Sequence, residues 1–199
     1  MRRRSVLALG GSALSIAVTG CLGGSGSSPE TAPTARPLAE REPPDVDCSN
    51  VSRPIPPRQP DENTVQPVDY PGEPPSPLED SAVDYVTRFE EAYRRNYEIL
   101  EKGPLREYSG GVTETWTYDA PPGGAVVRLK TVYGGQVLDD DGPGAIYDSP
   151  QVFVTYYVDP SRVVRAETKG QSQLTPESLD PDPWENGDGL ACFDSPQDN

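Results

Sequence analysis

Residues 76–102 carry apolar side chains three or four positions apart, the spacing that places them on one face of an α-helix. This stripe consists of Ala82, Val86, Phe89, Tyr93 and Leu100, widened by Tyr85, Ala92, Tyr97 and Ile99. Opposite charges also recur at i and i+4, in the pairs Glu90 with Arg94, Glu91 with Arg95 and Glu98 with Lys102. A helix of about 26 residues is about 39 Å long, whereas a typical strand is about 20 Å long. One end of the helix must therefore extend beyond any sheet that it covers.

The ends of this helix are marked in the sequence. Ser76, Pro77 and Glu79 have the order of a capping box, in which serine and glutamate each bind a backbone N–H that the first turn leaves unpaired. Gly103 and Pro104 are typical of a helix end. We therefore expect the helix to begin at Pro77 and to end before Gly103.

The chain after the helix shows the period of β-strands. Strands are predicted at residues 112–118, 125–133, 151–158 and 162–168. Gly134 and Gly135 are expected to end the second of them. The third is apolar or aromatic on both faces, which is typical of an inner strand.

These elements predict an α+β fold, with one long amphipathic helix packed on an antiparallel sheet of about four strands. Their order resembles the cystatin-like arrangement of a helix laid across one sheet face. Residues 77–192 are expected to form this domain, with an irregular C-terminal strap up to Cys192 and a frayed tail at residues 193–199. Residues 46–76 are rich in proline and are expected either to wrap over the domain as extended chain or to stay disordered.

The start of the chain has the parts of an export signal. Three arginines at positions 2–4 precede an apolar run of 13 residues, which is shorter than the roughly 20 residues needed to span a bilayer. Arg3-Arg4-Ser5-Val6-Leu7 resembles the twin-arginine pattern of Tat signals, and Val18-Thr19-Gly20-Cys21 resembles a lipobox. The resemblance implies that residues 1–20 are removed and that Cys21 carries a lipid. The alternative is an ordinary signal peptide followed by a chance cysteine.

Residues 21–45 consist mostly of small and polar residues and proline. Such a segment cannot bury enough apolar surface to offset the entropy of ordering, so it is predicted to be a disordered tether. With a lipid on Cys21, the membrane is the first expected partner, and the protein is expected on the extracellular face of the cell membrane.

The chain is strongly acidic and contains no histidine. Its formal net charge is −15, and loss of the three signal arginines would make it −18, which excludes nucleic acid as a partner on bulk electrostatics. The acidity, the scarcity of lysine and the Tat-like signal resemble cell-surface lipoproteins of halophilic archaea. An acidic surface protein of a mesophile is the alternative. Without histidine, catalysis by Ser-His-Asp or Cys-His systems is excluded, as are imidazole metal ligands.

Cys48 and Cys192 are the two cysteines left once Cys21 is assigned to a lipid. In an oxidising compartment such a pair is expected to form a disulfide, with two buried thiols as the alternative. Asn50 begins an Asn-Val-Ser sequon beside Cys48 and is a candidate glycosylation site.

Aromatic residues of the strands are the candidate binding residues, namely Trp116, Tyr118, Tyr133 and Tyr156. They could form a face for a sugar or a peptide, or they could be half-buried packing. Glu114 shares the strand face of Trp116 and is the candidate for a carboxylate with a raised pKa. The acidic run from Asp139 to Asp141 fails the EF-hand spacing, so no metal and no cofactor is predicted.

The sequence therefore predicts a lipid-anchored, extracytoplasmic binding or accessory module without catalysis, which holds a protein partner near the membrane. Two alternatives stay open. One is a hydrolase that uses carboxylates, and the other is a structural protein of the cell envelope.

Overall fold

The computed structural model describes residues 36–59, 61–139, 142, 144–169 and 179–194. One long helix, α1 (Ala82–Lys102), packs on an antiparallel sheet, which confirms the predicted α+β class. The strands are β1 (Leu105–Tyr118), β2 (Ala125–Val137), β3 (Ile146–Asp148), β4 (Val152–Asp159), β5 (Arg162–Lys169) and β6 (Asp188–Cys192). A 3-10 helix (Leu38–Glu40) precedes α1, and the one-turn helix α2 (Pro183–Asn186) precedes β6.

The sheet has six strands rather than the four that were predicted. Its order is β1-β2-β4-β5-β6, with β3 paired to the far end of β2. β3 has three residues, too few for a period to show in the sequence. β6 lies in the stretch predicted to be an irregular strap, where Leu190 and Ala191 are buried next to each other instead of alternating with polar residues. The prediction of a wholly irregular strap was therefore wrong at residues 188–192.

Helix α1 begins at Ala82, five residues later than Pro77. Leu78 is buried in the core, and its carbonyl accepts hydrogen bonds from the backbone N–H groups of both Ser81 and Ala82. The residues before Ala82 therefore form a turn and not the first helical turn. The helix has 21 residues, which makes it about 31 Å long. Its end agrees with the prediction, since Gly103 has a φ of 83° and donates its N–H to Ile99 O.

The inner face of the sheet is the face that α1 covers. Phe89 and Val86 of α1 are fully buried there against Val154 and Tyr156 of β4. The outer face has a smaller cluster of Val126, Tyr157 and Val164, against which Val46 and Trp184 pack. Leu100, which was predicted to belong to the buried stripe, is 54% exposed.

Strand β2 continues through Gly134 and Gly135, which were expected to end it. A Cβ on Gly134 would lie 2.6 Å from Tyr147 O, and one on Gly135 would lie 2.5 Å from Glu107 O. Glycine is needed because β1 and β3 approach β2 closely from its two sides at this point. The glycine pair thus permits three strands to meet, and the strand ends only at Val137.

The segment before α1 lies on the domain as extended chain. Arg41 forms an ion pair with Asp182 at 3.0 Å, and the Trp184 indole N–H donates to Glu42 O at 2.7 Å. Residues 36–45, which were predicted to belong to the tether, are therefore in contact with the body of the protein. Residues 1–35, with the predicted signal and Cys21, lie outside the described residues, as do residues 170–178 and 195–199.

A disulfide joins Cys48 to Cys192, as the cysteine count predicted. The two residues are separated by 144 positions, and their Cα atoms are 5.7 Å apart. The bond ties the segment before α1 to the end of β6, and it closes a loop that contains the helix and the whole sheet. Such a long loop is where the loss of chain entropy in the unfolded state is largest.

Replacing both cysteines, Cys48→Ser with Cys192→Ser, is expected to lower the free energy of unfolding by up to about 5 kcal/mol, the loop-entropy value for a closed loop of this length. Denaturant unfolding followed by tryptophan fluorescence measures the difference. A reducing agent is the control, because it should lower the stability of the wild type and leave the double variant unchanged. Equal stability of the oxidised and reduced wild type would contradict the prediction.

Candidate functional site

The four aromatic residues predicted to form one binding face lie on opposite faces of the sheet. Trp116 and Tyr118 lie on the outer face, whereas Tyr133 and Tyr156 lie on the inner face under α1. Tyr156 is fully buried, so it has no surface to offer to a partner. The structure therefore does not bring the four residues together.

On the outer face the aromatic residues surround Arg128, which is fully buried. Its guanidinium carbon lies 5.0 Å from the ring centroids of both Trp116 and Phe153, and its Nη1 donates to the Tyr118 hydroxyl at 3.2 Å. Attraction between a guanidinium and an aromatic face strengthens when the pair is removed from water. Trp116 and Tyr118 thus serve to hold a buried arginine.

Glu114, the candidate carboxylate, lies in an exposed ion pair. Its Oε1 accepts from Lys130 Nζ at 2.6 Å across the β1–β2 pair, and its side chain is 50% exposed. The aromatic pocket expected around Glu114 is not formed.

A cluster of four charged residues lies instead under α1, on the inner face. Glu90 Oε2 and Oε1 accept from Arg165 Nε and Nη2 at 2.8 and 3.1 Å, and Oε2 also accepts from the Tyr156 hydroxyl at 2.7 Å. Glu167 Oε2 accepts from Arg94 Nη2 at 2.5 Å and from Arg165 Nη2 at 2.6 Å. Two carboxylates and two guanidinium groups are therefore hydrogen-bonded to one another, and their formal charges sum to zero.

The cluster controls the protonation of its members. Burial acts to lower the pKa of Arg165, but Glu90 opposes it and raises the pKa well above its ordinary value. Burial also raises the pKa of Tyr156, and the adjacent Glu90 carboxylate raises it further. The guanidinium thus stays charged and the hydroxyl keeps its proton, which is what a structural ion pair requires.

Sequence reasoning missed this cluster because Glu90 and Arg94 have the spacing of a surface ion pair. One signal was present. Counting in steps of four from Ala82 through Val86 leads to Glu90, Arg94 and Glu98, and all five residues are buried. A row of helix positions that begins apolar and continues with charged residues indicates a charged contact inside the protein.

An open groove runs beside the cluster, between α1, β1 and the segment before α1. Its volume is about 640 Å³, and its lining includes Tyr70, Arg88, Glu91, Arg95 and Tyr108. The far wall is held by Val68, whose N–H donates to Asn96 Oδ1 at 2.9 Å and whose carbonyl accepts from Asn96 Nδ2 at 2.8 Å. A buried asparagine therefore fixes the width of the groove.

A small cavity of about 30 Å³ adjoins this groove under α1. Tyr108, Gly110 and Glu91 line both the groove and the cavity, whereas Arg94 and Thr131 line the cavity and not the groove. Arg94 and Thr131 are 3% and 4% exposed, and Arg94 Nε and Thr131 Oγ1 have no hydrogen-bond partner within the described part of the chain. Unpaired polar atoms in the interior are costly, so these two call for an explanation.

β1 is an edge strand, and its free side faces the groove. Among the described residues, the backbone hydrogen bond on that side is the one that Val65 N–H donates to Leu105 O. Irregularities in the pairing with β2 lie between Leu105 and Glu107 and between Val112 and Glu114. In the regular stretch from Glu107 to Val112, the backbone groups that point away from β2 have no backbone partner among the described residues, and Tyr108, Ser109 and Gly110 of this stretch line the groove.

Asn50 is exposed and therefore accessible for glycosylation, which stays a prediction. Asp140 and Asp141 lie outside the described residues. Over the ranges that are described, no group of three or more cysteine or acidic residues is arranged to hold a metal ion, and no helix has the length and hydropathy of a membrane span.

Removing the charge of Glu90, in Glu90→Gln, is expected to lower the free energy of unfolding by about 3–5 kcal/mol, because Arg165 and Arg94 would stay buried with one carboxylate between them. Urea unfolding measures this change. The matched control is Glu91→Gln, which alters an exposed neighbour on the same helix and is expected to stay within about 0.5 kcal/mol of the wild type. Equal effects of the two substitutions would show that the cluster contributes nothing specific.

Acid is expected to weaken the cluster through Glu167. Burial acts to raise the pKa of Glu167, but Arg165 and Arg94 outweigh it and hold the pKa below its ordinary value of 4.5. The unfolded chain thus takes up this proton at a higher pH than the folded chain. The resulting stabilisation is complete above pH 4.5 and is lost as the pH falls through the folded pKa.

The stability of Glu167→Gln should therefore fall less steeply than that of the wild type between about pH 5 and about pH 3. Urea midpoints across this range measure the slope. Glu101→Gln, which removes an exposed carboxylate, controls for the change of net charge. Parallel slopes for wild type and Glu167→Gln would refute the assignment.

Comparisons of the chain with models of protein families, with curated proteins and with solved structures found no match in any of the three. We therefore infer its function from the predicted export signal, the charged cluster and the groove.

Proposed function

We propose that the protein is a lipid-anchored, extracytoplasmic binding module without catalysis, which holds a protein partner near the membrane. The observation that carries the proposal is the groove along the free side of β1, because it combines open volume with backbone groups that have no partner within the chain as described. The buried carboxylate of Glu90 and the partly buried carboxylate of Glu167 support it, since arginines hold both of them in structural ion pairs.

The proposed location rests on the start of the sequence. Cys21 would carry the lipid after removal of residues 1–20, as in the lipoproteins of halophilic archaea that the signal and the acidic composition resemble. The disulfide between Cys48 and Cys192 supports an oxidising compartment. We propose that the domain has the cystatin-like arrangement, and the packing of one helix across an antiparallel sheet supports this. The negative net charge argues against nucleic acid as a partner.

The hydrolase alternative finds no support at Glu114, because this carboxylate is half exposed and paired with Lys130. A structural role in the envelope differs from the binding proposal in what it predicts. A structural protein is expected to be highly abundant and to have no stable partner, whereas a binding module requires a partner.

Cross-linking of native membranes in high salt is expected to recover one partner in near-equal amount with the protein. The variant Cys21→Ser, which cannot carry the lipid, is expected to move to the soluble fraction and to recover less of that partner. Recovery of the wild-type protein alone would overturn the binding proposal. Retention of Cys21→Ser in the membrane fraction would overturn the lipid anchor.

A further inference from the structure

We propose that the groove binds an extended peptide segment that adds to β1 as a further strand and places an asparagine or glutamine side chain in the cavity at Arg94 and Thr131. This inference rests on the proposed binding function. It names the site at which the protein binds its partner and the chemistry that the partner must have.

The free side of β1 supplies the main-chain contacts. Between its two irregularities, the stretch from Glu107 to Val112 is six residues long, or about 20 Å. A strand edge of this kind is a template for another strand, and natural proteins that avoid such pairing cover the edge or shorten it. An irregularity in the pairing with β2 lies at each end of this stretch, and Tyr108, Ser109 and Gly110 between them line the open groove.

The walls of the groove match an added strand. One wall is α1, with Arg88, Glu91 and Arg95, and the other includes Val68 and Tyr70. Counting Asp69, the charged lining residues are two arginines and two acids, so the groove is locally neutral in a chain with a net charge of −15. An acidic segment would be repelled by the protein as a whole, and an uncharged segment meets no such barrier.

The cavity specifies the side chain. Its volume of about 30 Å³ is roughly twice what one water molecule needs on the same measure. A charged group would add an uncompensated charge to a cluster whose two carboxylates and two guanidinium groups already balance. A carboxamide is neutral. Its oxygen can accept from Arg94 Nε–H and its N–H can donate to Thr131 Oγ1, so one carboxamide offers a partner to each of the two unpaired atoms.

The test uses acetylated and amidated hexapeptides of alternating threonine and valine, in which one central position is asparagine, glutamine, aspartate, lysine or leucine. Binding to the mature chain carrying Cys21→Ser is measured in high salt by calorimetry. We expect the asparagine and glutamine peptides to bind at least tenfold more tightly than the other three. Amide hydrogen exchange in residues 107–112 is expected to slow when they bind, because the edge becomes paired.

Three variants separate the parts of the proposal. Thr131→Val keeps the shape and removes the hydroxyl, so it is expected to reduce the preference for asparagine over leucine by about tenfold. Gly110→Ala would place a Cβ 2.6 Å from the Tyr108 hydroxyl oxygen at the mouth of the cavity and is expected to weaken binding. Gly72→Ala is its control, since a Cβ there meets no atom within 4 Å and Gly72 lines neither the groove nor the cavity, so this variant should bind as the wild type does.

The possible results are distinguishable. Binding without a preference at the central position, or an unchanged preference in Thr131→Val, overturns the role of the cavity. Self-association that protects residues 107–112 overturns the proposal, because a second copy would then occupy the edge. If membranes yield a partner but no hexapeptide binds, this inference fails and the proposed function stands. If membranes yield no partner, the proposed function fails.

Discussion

The ion pair between Glu90 and Arg165 is the contact on which the placement of α1 depends. Both carboxylate oxygens of Glu90 are bonded to Arg165, and both residues are withdrawn from water. Apolar contacts tolerate small rotations of a helix, whereas a two-point hydrogen-bonded pair does not. A misplaced α1 would leave two buried charges unpaired, at a cost of several kcal/mol. The pair therefore selects one rotation of the helix over the sheet, and Glu167 and Arg94 extend that selection to the next turn.

The spacing of apolar residues was enough to predict the helix and the four longer strands. The helical spacing of three or four residues and the strand spacing of two both arise because one face of the element buries apolar side chains. They could not reveal the charged cluster, since Arg165 lies 75 positions after Glu90 and the pair exists only in the folded chain. The disulfide was predictable from counting alone. The aromatic face failed because Tyr133 and Tyr156 point to the side of the sheet opposite to Trp116, which depends on the register and not on composition.

The groove could not be predicted from the spacing of apolar residues, because hydrogen bonds from polar side chains hold its far wall in place. Asn96 bonds to both backbone groups of Val68 in the way that a neighbouring strand would, and the Tyr85 hydroxyl donates to Gly72 O a little further along. These side chains fasten a proline-rich segment to α1 where no ladder could form. The gap left between that segment and β1 is therefore a defined feature of the fold.

The disulfide also determines how a domain anchored through Cys21, as proposed, would leave the membrane surface. Every peptide bond between Cys48 and Cys192 lies inside the covalent loop, so a protease that cuts there leaves both fragments joined by sulfur. The segment between Cys21 and Cys48 lies outside this loop. If Cys21 is the point of attachment, a single cut releases the whole domain into the medium only when it falls in that segment, and a cut inside the loop releases a fragment only when the disulfide is also reduced.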